Sequence, residues 1–175
     1  MSSAFLDAFA RLLPFEGGFS DDPADPGNWT GGAVGAGILR GTKYGISAAS
    51  YPTLDIAGLT PGAATALYRA GYWDKIAGDA LPGPIAAELF DCAVNQGVGF
   101  AARTLQAALH VAVDGVIGPQ TVAAAARAGN DPLPVVVEIA ARRAVRYAGS
   151  GGFSRFGYGW MRRLMDVTVR AIAPA

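Results

Sequence analysis

The sequence predicts an all-α fold interrupted near the N-terminus by a loop-rich insert that carries a small β element. Apolar residues recur at helical spacing in separate stretches, first from Phe5 and again after Pro61. Between residues 14 and 62 that rhythm breaks, and much of the chain's glycine and proline (24 and 11 residues) crowds into the gap. Hydrophobic residues at 51% against 16% charged provide a core and argue against a disordered chain. A length of 175 residues suits one compact domain, or two small ones sharing a core.

Phe5, Leu6, Phe9, Leu12 and Leu13 form one helical face over residues 2–13. Pro14 stops or kinks that helix, and Gly17-Gly18 lets the chain turn away. Residues 19–45 read as a long loop, with short strands around 34–39 and 42–46. Ala64, Leu67, Tyr68, Tyr72 and Ile76 continue a helical pattern after Pro61. Further helices are expected over 85–95, 100–109, 120–128, 133–148 and 156–172, the third opened by Gly118-Pro119.

Formal net charge is zero, but unevenly spread: residues 1–91 hold five basic and ten acidic side chains, residues 92–175 nine and four. A basic second half suits an anionic partner, or simply a solvated surface. Cys92 is the only cysteine, so no internal disulfide forms. His110 is the only histidine, expected at a surface or helix end, and His-rich metal sites are excluded. The first residues lack the basic and apolar regions of a signal peptide, and no run approaches the roughly 20 apolar residues of a membrane span. The expectation is synthesis in the cytoplasm, with release by other machinery if the protein works outside the inner membrane.

Four motifs carry candidate chemistry. Glu16 with Asp25, in PFEGGFSDDPADPG, suits glycoside hydrolysis: a carboxyl desolvated by Leu12, Phe15 and Phe19 stays protonated as an acid, while a carboxylate in a polar turn stays ionised. The alternative makes Glu16 a loop cap and the aspartates turn formers. Thr42 and Tyr44, in GTKYGIS, either reach a cleft or form an ordinary turn. Tyr72 and Trp73 offer aromatic faces to sugar rings or pack a helix. Asn95 and Gln96, just before Gly97, aim amides at a ligand or satisfy helix carbonyls.

Together, EGGFSDDPADPG, TKYGIS and FDCAVNQGVGFAARTLQAALHVAVDGVIGPQT resemble the glycoside hydrolase family 108 type of phage and bacterial N-acetylmuramidase, with its predicted peptidoglycan-binding region, over roughly residues 5–128. The resemblance implies a lysozyme-like fold, a catalytic region over 1–85 and a helical peptidoglycan-binding region over 86–175. It makes Glu16 the catalytic acid, Asp25 and Thr42 its partners, and Tyr44 and Asn95 cleft residues, with Tyr72, Trp73 and Gln96 as further substrate-binding candidates. It implies no cofactor or metal, peptidoglycan glycan strands as partner, no nucleic acid, and a monomer acting in endolysin-like lysis. In the family pattern Asp-Pro-Gly runs almost directly into Thr-Lys-Tyr-Gly; here residues 28–41 intervene and make Thr30 a rival to Thr42. Lytic transglycosylase and non-catalytic wall-binding protein are the alternatives. Arg155, Arg162, Arg163 and Arg170, beside Phe156 and Trp160, either engage an anionic outer membrane or snorkel from a packed terminal helix.

Overall fold

The structure, a computed structural model, describes residues 1–12 and 18–173. Seven α-helices and one two-stranded sheet lie among them. The chain divides into two compact units, one of residues 9–69 and the other of 1–8 with 70–175. The division runs through the first helix, α1 (Ser3–Leu12), and falls at Arg69/Ala70, within the stretch that the sequence assigns to a single catalytic region.

In the smaller unit, β1 (Thr42–Lys43) and β2 (Ile46–Ser47) pair antiparallel, with Thr42 opposite Ser47 and Lys43 opposite Ile46. Tyr44 and Gly45 make the turn in the left-handed region, which costs Tyr44 some strain. The Tyr68 hydroxyl, at the end of α2 (Pro61–Tyr68), secures the turn by donating to the Tyr44 carbonyl at 2.9 Å. Thr60 caps α2, accepting from the Ala63 N–H, and Pro61 sits where its missing N–H is harmless. The Tyr68 ring lies 5.2 Å from that of Phe9, and Leu12, Ile46, Ala48, Ile56, Leu59 and Ala64 are buried in the same unit.

The intervening residues 28–41 form a closed stem. Trp29 bridges Leu39, and the Asn28 carbonyl accepts from both Arg40 N–H (2.9 Å) and Gly41 N–H (3.1 Å). The expected strand at 34–39 therefore reduces to a single bridging residue. Gly41 is buried at φ +82°, and a Cβ there would stand 2.6 Å from the Ser20 carbonyl oxygen. Only glycine permits both that dihedral angle and the approach of Ser20, whose backbone exchanges two hydrogen bonds with Thr42 (2.9 and 2.8 Å).

In the larger unit, α3 (Gly83–Gln96) is the central helix, packing against α4 (Val98–Ala108), α6 (Leu133–Ala148) and α7 (Phe153–Ile172); α5 (Pro119–Ala128) follows the turn at Gly115. Its apolar residues Ile85, Ala86, Leu89, Phe90 and Ala93 are all buried, as expected for a helix surrounded by others. Phe90 meets Phe5 and Trp73 in an aromatic trio with centroids 5.4–5.8 Å apart.

The helix expected to continue through Tyr72 to Ile76 does not stay α-helical. After Tyr68 the chain widens into a π turn (Arg69–Trp73), tightens into 3-10 turns (Asp74–Ile76 and Gly78–Ala80) and turns left-handed at Ala77. The change of pitch accompanies complete burial of both Trp73 and Ile76.

Buried charge joins α3, α6 and α7. Arg143, 0% exposed, donates to Glu88 at 2.5 Å and to Asp91, while Arg163 donates to the other Asp91 oxygen at 2.8 Å. Thr168 donates to Glu88 at 3.1 Å; Gln96 accepts from Arg143 Nε and donates to the Arg143 carbonyl, both at 3.2 Å. Burial opposes the Arg143 cation, but the Asp91 and Glu88 carboxylates overcome it and hold its pKa above the ordinary value. Burial also dominates at Glu88, outweighing the pull of Arg143 and raising its pKa above the ordinary 4.5.

Arg143→Met leaves two buried carboxylates without their shared cation and is expected to cost about 3–5 kcal/mol, read from chemical denaturation; an unchanged midpoint would contradict the network's role. Because folded Glu88 holds its proton more tightly than unfolded Glu88, its contribution is greatest below pH 4.5 and declines as pH rises through its raised value. The stability of wild type relative to Glu88→Gln is therefore expected to fall with rising pH over that window, measured by denaturation at stepped pH; a flat difference refutes it. Gly41→Ala is expected to lose roughly 1–3 kcal/mol and to speed amide exchange at Ser20 and Thr42, with protection unchanged in α3.

Candidate functional site

The candidate residues fall in both units and are described within each. Glu16 belongs to residues 13–17, which lie outside the described residues.

In the smaller unit, Asp25 is exposed and caps the 3-10 turn Pro26–Asn28, its Oδ1 accepting from Gly27 N–H at 2.8 Å. Asn28 is fully buried, and its amide donates to the Asp22 carbonyl at 3.0 Å. The closed stem carries the chain from Asn28 back to Gly41, so the Asp25-capped turn is bonded through its backbone to the residue preceding Thr42. The Gly27 carbonyl also accepts from Ala49 N–H at 3.0 Å, just beyond β2. The two motifs that residues 28–41 separate in sequence are thus adjoined by main-chain hydrogen bonds. Thr42 is half-buried, and its hydroxyl has no hydrogen-bond partner among the described residues. The rival Thr30 accepts from Ile38 N–H at 2.9 Å inside the stem, leaving its own proton to donate. Tyr44 is half-buried, with the Lys43 ammonium 5.6 Å from its ring centroid.

In the larger unit, Trp73 is 1% exposed and donates its indole N–H to Asp79 at 2.9 Å. The expectation that it offers a face to substrate is corrected: its ring is buried against Phe5 and Phe90. Tyr72, beside it in the π turn, is half-buried. Asn95 and Gln96 do come together, at one pocket of about 660 Å³ that Arg146, Tyr147, Ser150 and Trp160 also line. Asn95 is exposed and accepts from the Tyr147 hydroxyl; Gln96 is half-buried and engaged with Arg143. Burial raises the Tyr147 pKa against the opposing Arg143 charge, keeping the phenol a neutral donor to Asn95. Sequence reasoning missed this pocket's α6 and α7 walls, because Arg146 and Tyr147 look like an ordinary helix end. The i, i+13 relation of Tyr147 and Trp160, whose rings stack at 5.3 Å, is not a helical repeat.

Other motifs resolve as structure. Gln106, buried in α4, accepts from Gly115 N–H (2.8 Å) and donates to Asp114 (2.6 Å) and the Val116 carbonyl (3.0 Å), clasping the DGVIGP turn. That amide donation, with help from Val116 N–H, lowers the Asp114 pKa. Cys92 is a buried thiol pushed up to about 12 by desolvation, so it is no nucleophile. His110 ends α4 exposed, at φ 55°. On α7, Arg163 and Arg170 are drawn to Asp91 and Asp166, leaving Arg155 and Arg162 as its other basic side chains. Among the described residues no three His, Cys, Asp or Glu side chains gather as a metal site requires.

The family model described as glycosyl hydrolase 108 matches residues 9–97, and one described as a predicted peptidoglycan domain matches residues 100–165. No curated protein matches the chain. The solved structure of Brucella abortus SagA is similar at a TM-score of 0.77 and 33% identity, covering 96% of this chain and 93% of that one. The fold is lysozyme-like, and a glycoside hydrolase region followed by a peptidoglycan domain makes the protein a peptidoglycan hydrolase. The chain belongs to the glycosyl hydrolase 108 family.

Proposed function

We propose that the enzyme hydrolyses the β-1,4 bond between N-acetylmuramic acid and N-acetylglucosamine. Glu16 protonates the leaving glycosidic oxygen, and Asp25, or a water held by Thr42 or its rival Thr30, deals with the anomeric carbon. The observation that carries this reading is the main-chain junction of the Asp25 turn with the strand bearing Thr42. Ser20, four residues beyond Glu16, is bonded into the same strand at Thr42. Backbone anchoring of the segments that bear the Asp25 carboxylate and the Thr42 hydroxyl supports this reading, because groups on such segments need less rearrangement when substrate arrives.

Tyr44 on the neighbouring turn, and Tyr72, Asn95 and Gln96 in the other unit, are proposed substrate contacts. In this reading the enzyme works as a monomer on the wall from the periplasmic side, after release through a holin or secretion system, in endolysin-like lysis. Engagement of an anionic membrane is a lesser part of the proposal. It is supported by exposed Phe156 and Tyr158 beside Arg155 and Arg162 on α7, and weakened by the internal pairing of Arg163 and Arg170.

Clearance of purified peptidoglycan by wild type and Glu16→Gln, followed by mass spectrometry of the fragments, tests the assignment. The variant is expected to lose about 100-fold or more in rate, and the wild-type products to carry reducing muramic acid ends. Anhydro ends would show a lytic transglycosylase instead, and equal clearance by the variant would remove Glu16 as the acid.

A further inference from the structure

We propose that the pocket at the C-terminal end of α3 takes a carboxylate-bearing stem peptide of the wall polymer, with Arg146 as the anion receptor and Trp160 as the apolar wall. The proposal rests on the peptidoglycan reading above and adds which part of the polymer this unit grips.

Most arginines near the pocket are already committed: Arg142 pairs with Glu138, Arg143 with Glu88 and Asp91, and Arg163 with Asp91. Arg146 is different. It is exposed, and it makes no ion pair or side-chain hydrogen bond among the described residues. Its guanidinium instead lies over the Phe100 ring, 4.3 Å from the centroid. Phe100 and Glu138 belong to a neighbouring groove that Arg146 also lines, so the stacking fixes the planar cation on the rim shared with the pocket, where a guanidinium matches a carboxylate in bidentate geometry.

The rest of the lining has the same bias. Asn95 uses its carbonyl oxygen to accept from Tyr147, which leaves its amide hydrogens as donors. The Ser150 hydroxyl adds another donor, and no Asp or Glu lines the pocket. Trp160 is half-buried and stacked on Tyr147, so its position is set before a ligand arrives. A donor-rich, acid-free pocket of about 660 Å³ beside a fixed aromatic ring suits a small anionic peptide better than a neutral sugar ring. In peptidoglycan the lactyl carboxyl of each substituted N-acetylmuramic acid is taken up in the amide bond to its stem peptide, so on intact strands the free carboxylates belong to the stem peptides.

The test is binding of a synthetic stem tetrapeptide, with its carboxylates free or amidated, to the full chain by calorimetry. Arg146→Met keeps a hydrocarbon stem over Phe100 and removes the charge; Arg127→Met removes an exposed charge elsewhere, at the end of α5. Wild type is expected to bind the free-acid peptide and to lose roughly tenfold or more in affinity on amidation or in Arg146→Met, while Arg127→Met binds as wild type does. Equal affinity for both peptides, or equal binding by Arg146→Met, overturns the proposal. If Arg146→Met fails to fold, peptide-induced shifts of the wild-type Trp160 indole N–H decide, and an unmoved resonance overturns it. Turnover separates the two readings. Peptide binding without cleavage of any glycan defeats the hydrolase mechanism and leaves the pocket assignment standing. Cleavage that falls equally on peptide-bearing and peptide-stripped glycan in Arg146→Met defeats the pocket assignment alone.

Discussion

The larger unit depends on one buried cation. Arg143 has no exposed surface, and the two carboxylates around it come from the central helix. Such a group is tolerated only where every charge and lone pair finds a partner, since desolvating the ions costs more than an imperfect pairing returns. Arg163 and Thr168 complete the carboxylates from α7, and Gln96 completes the guanidinium from α3. The partners come from several turns of α3 and α7 around one residue of α6, so a register slip in α6 or α7 would strand a charge. The network therefore specifies how these helices pack, whether or not an apolar replacement would be more stable.

This changes the meaning of the charge asymmetry along the chain. The acidic first half and basic second half look like a surface prepared for an anionic partner. Part of that contrast is spent internally: Glu88 and Asp91 are acids of the first half, and Arg143 and Arg163 are the bases of the second that neutralise them. What remains for a partner is smaller and more local. At the outer end of the same network, Gln96 and Tyr147 pass from buried pairing to the pocket wall, where Arg146 is the adjacent residue of α6. Packing that aligns α6 for Arg143 thereby also places Arg146, so recognition there inherits its rigidity from the core.

Much of the helical framework was legible because it obeys local rules. Pro119 after Gly118 opens α5 as expected, and α6 runs over the expected residues between Pro132 and Gly149. β structure around 42–46 was legible, but not the turn at Tyr44-Gly45 that folds it into a hairpin, and the strand expected at 34–39 was not realised. What sequence could not disclose were relations between distant residues. Local sequence left Trp73 either a sugar platform or a packing residue, and it is Phe5 and Phe90, far away in the chain, that bury it. Arg143 sits in an Arg-Arg pair, and nothing local distinguishes the member that faces Glu138 from the one that is wholly buried. Asn95 and Gln96 were recognisable as a helix-end amide pair, but their pocket is built by residues some fifty positions later.

The stem over residues 28–41 separates the Asp25 turn from Thr42 in sequence, and its bonding explains why it can exist without displacing the candidate chemistry. Its ends meet: the Asn28 carbonyl holds Arg40 and Gly41, and Trp29 bridges Leu39. Once a loop is closed at its base, residues added beyond the closure change the loop's entropy only slowly with length and leave the base in place. The Asp25 turn and Thr42 are thereby delivered to one junction, whatever the length of the stem between them. The constraint falls on the junction itself, where Gly41 must turn left-handed and admit Ser20 at a distance that no side chain would allow. Variation is tolerated outward from that glycine, and the Asp25 turn and Thr42 are held by backbone groups whose hydrogen bonds do not depend on which side chains the stem carries.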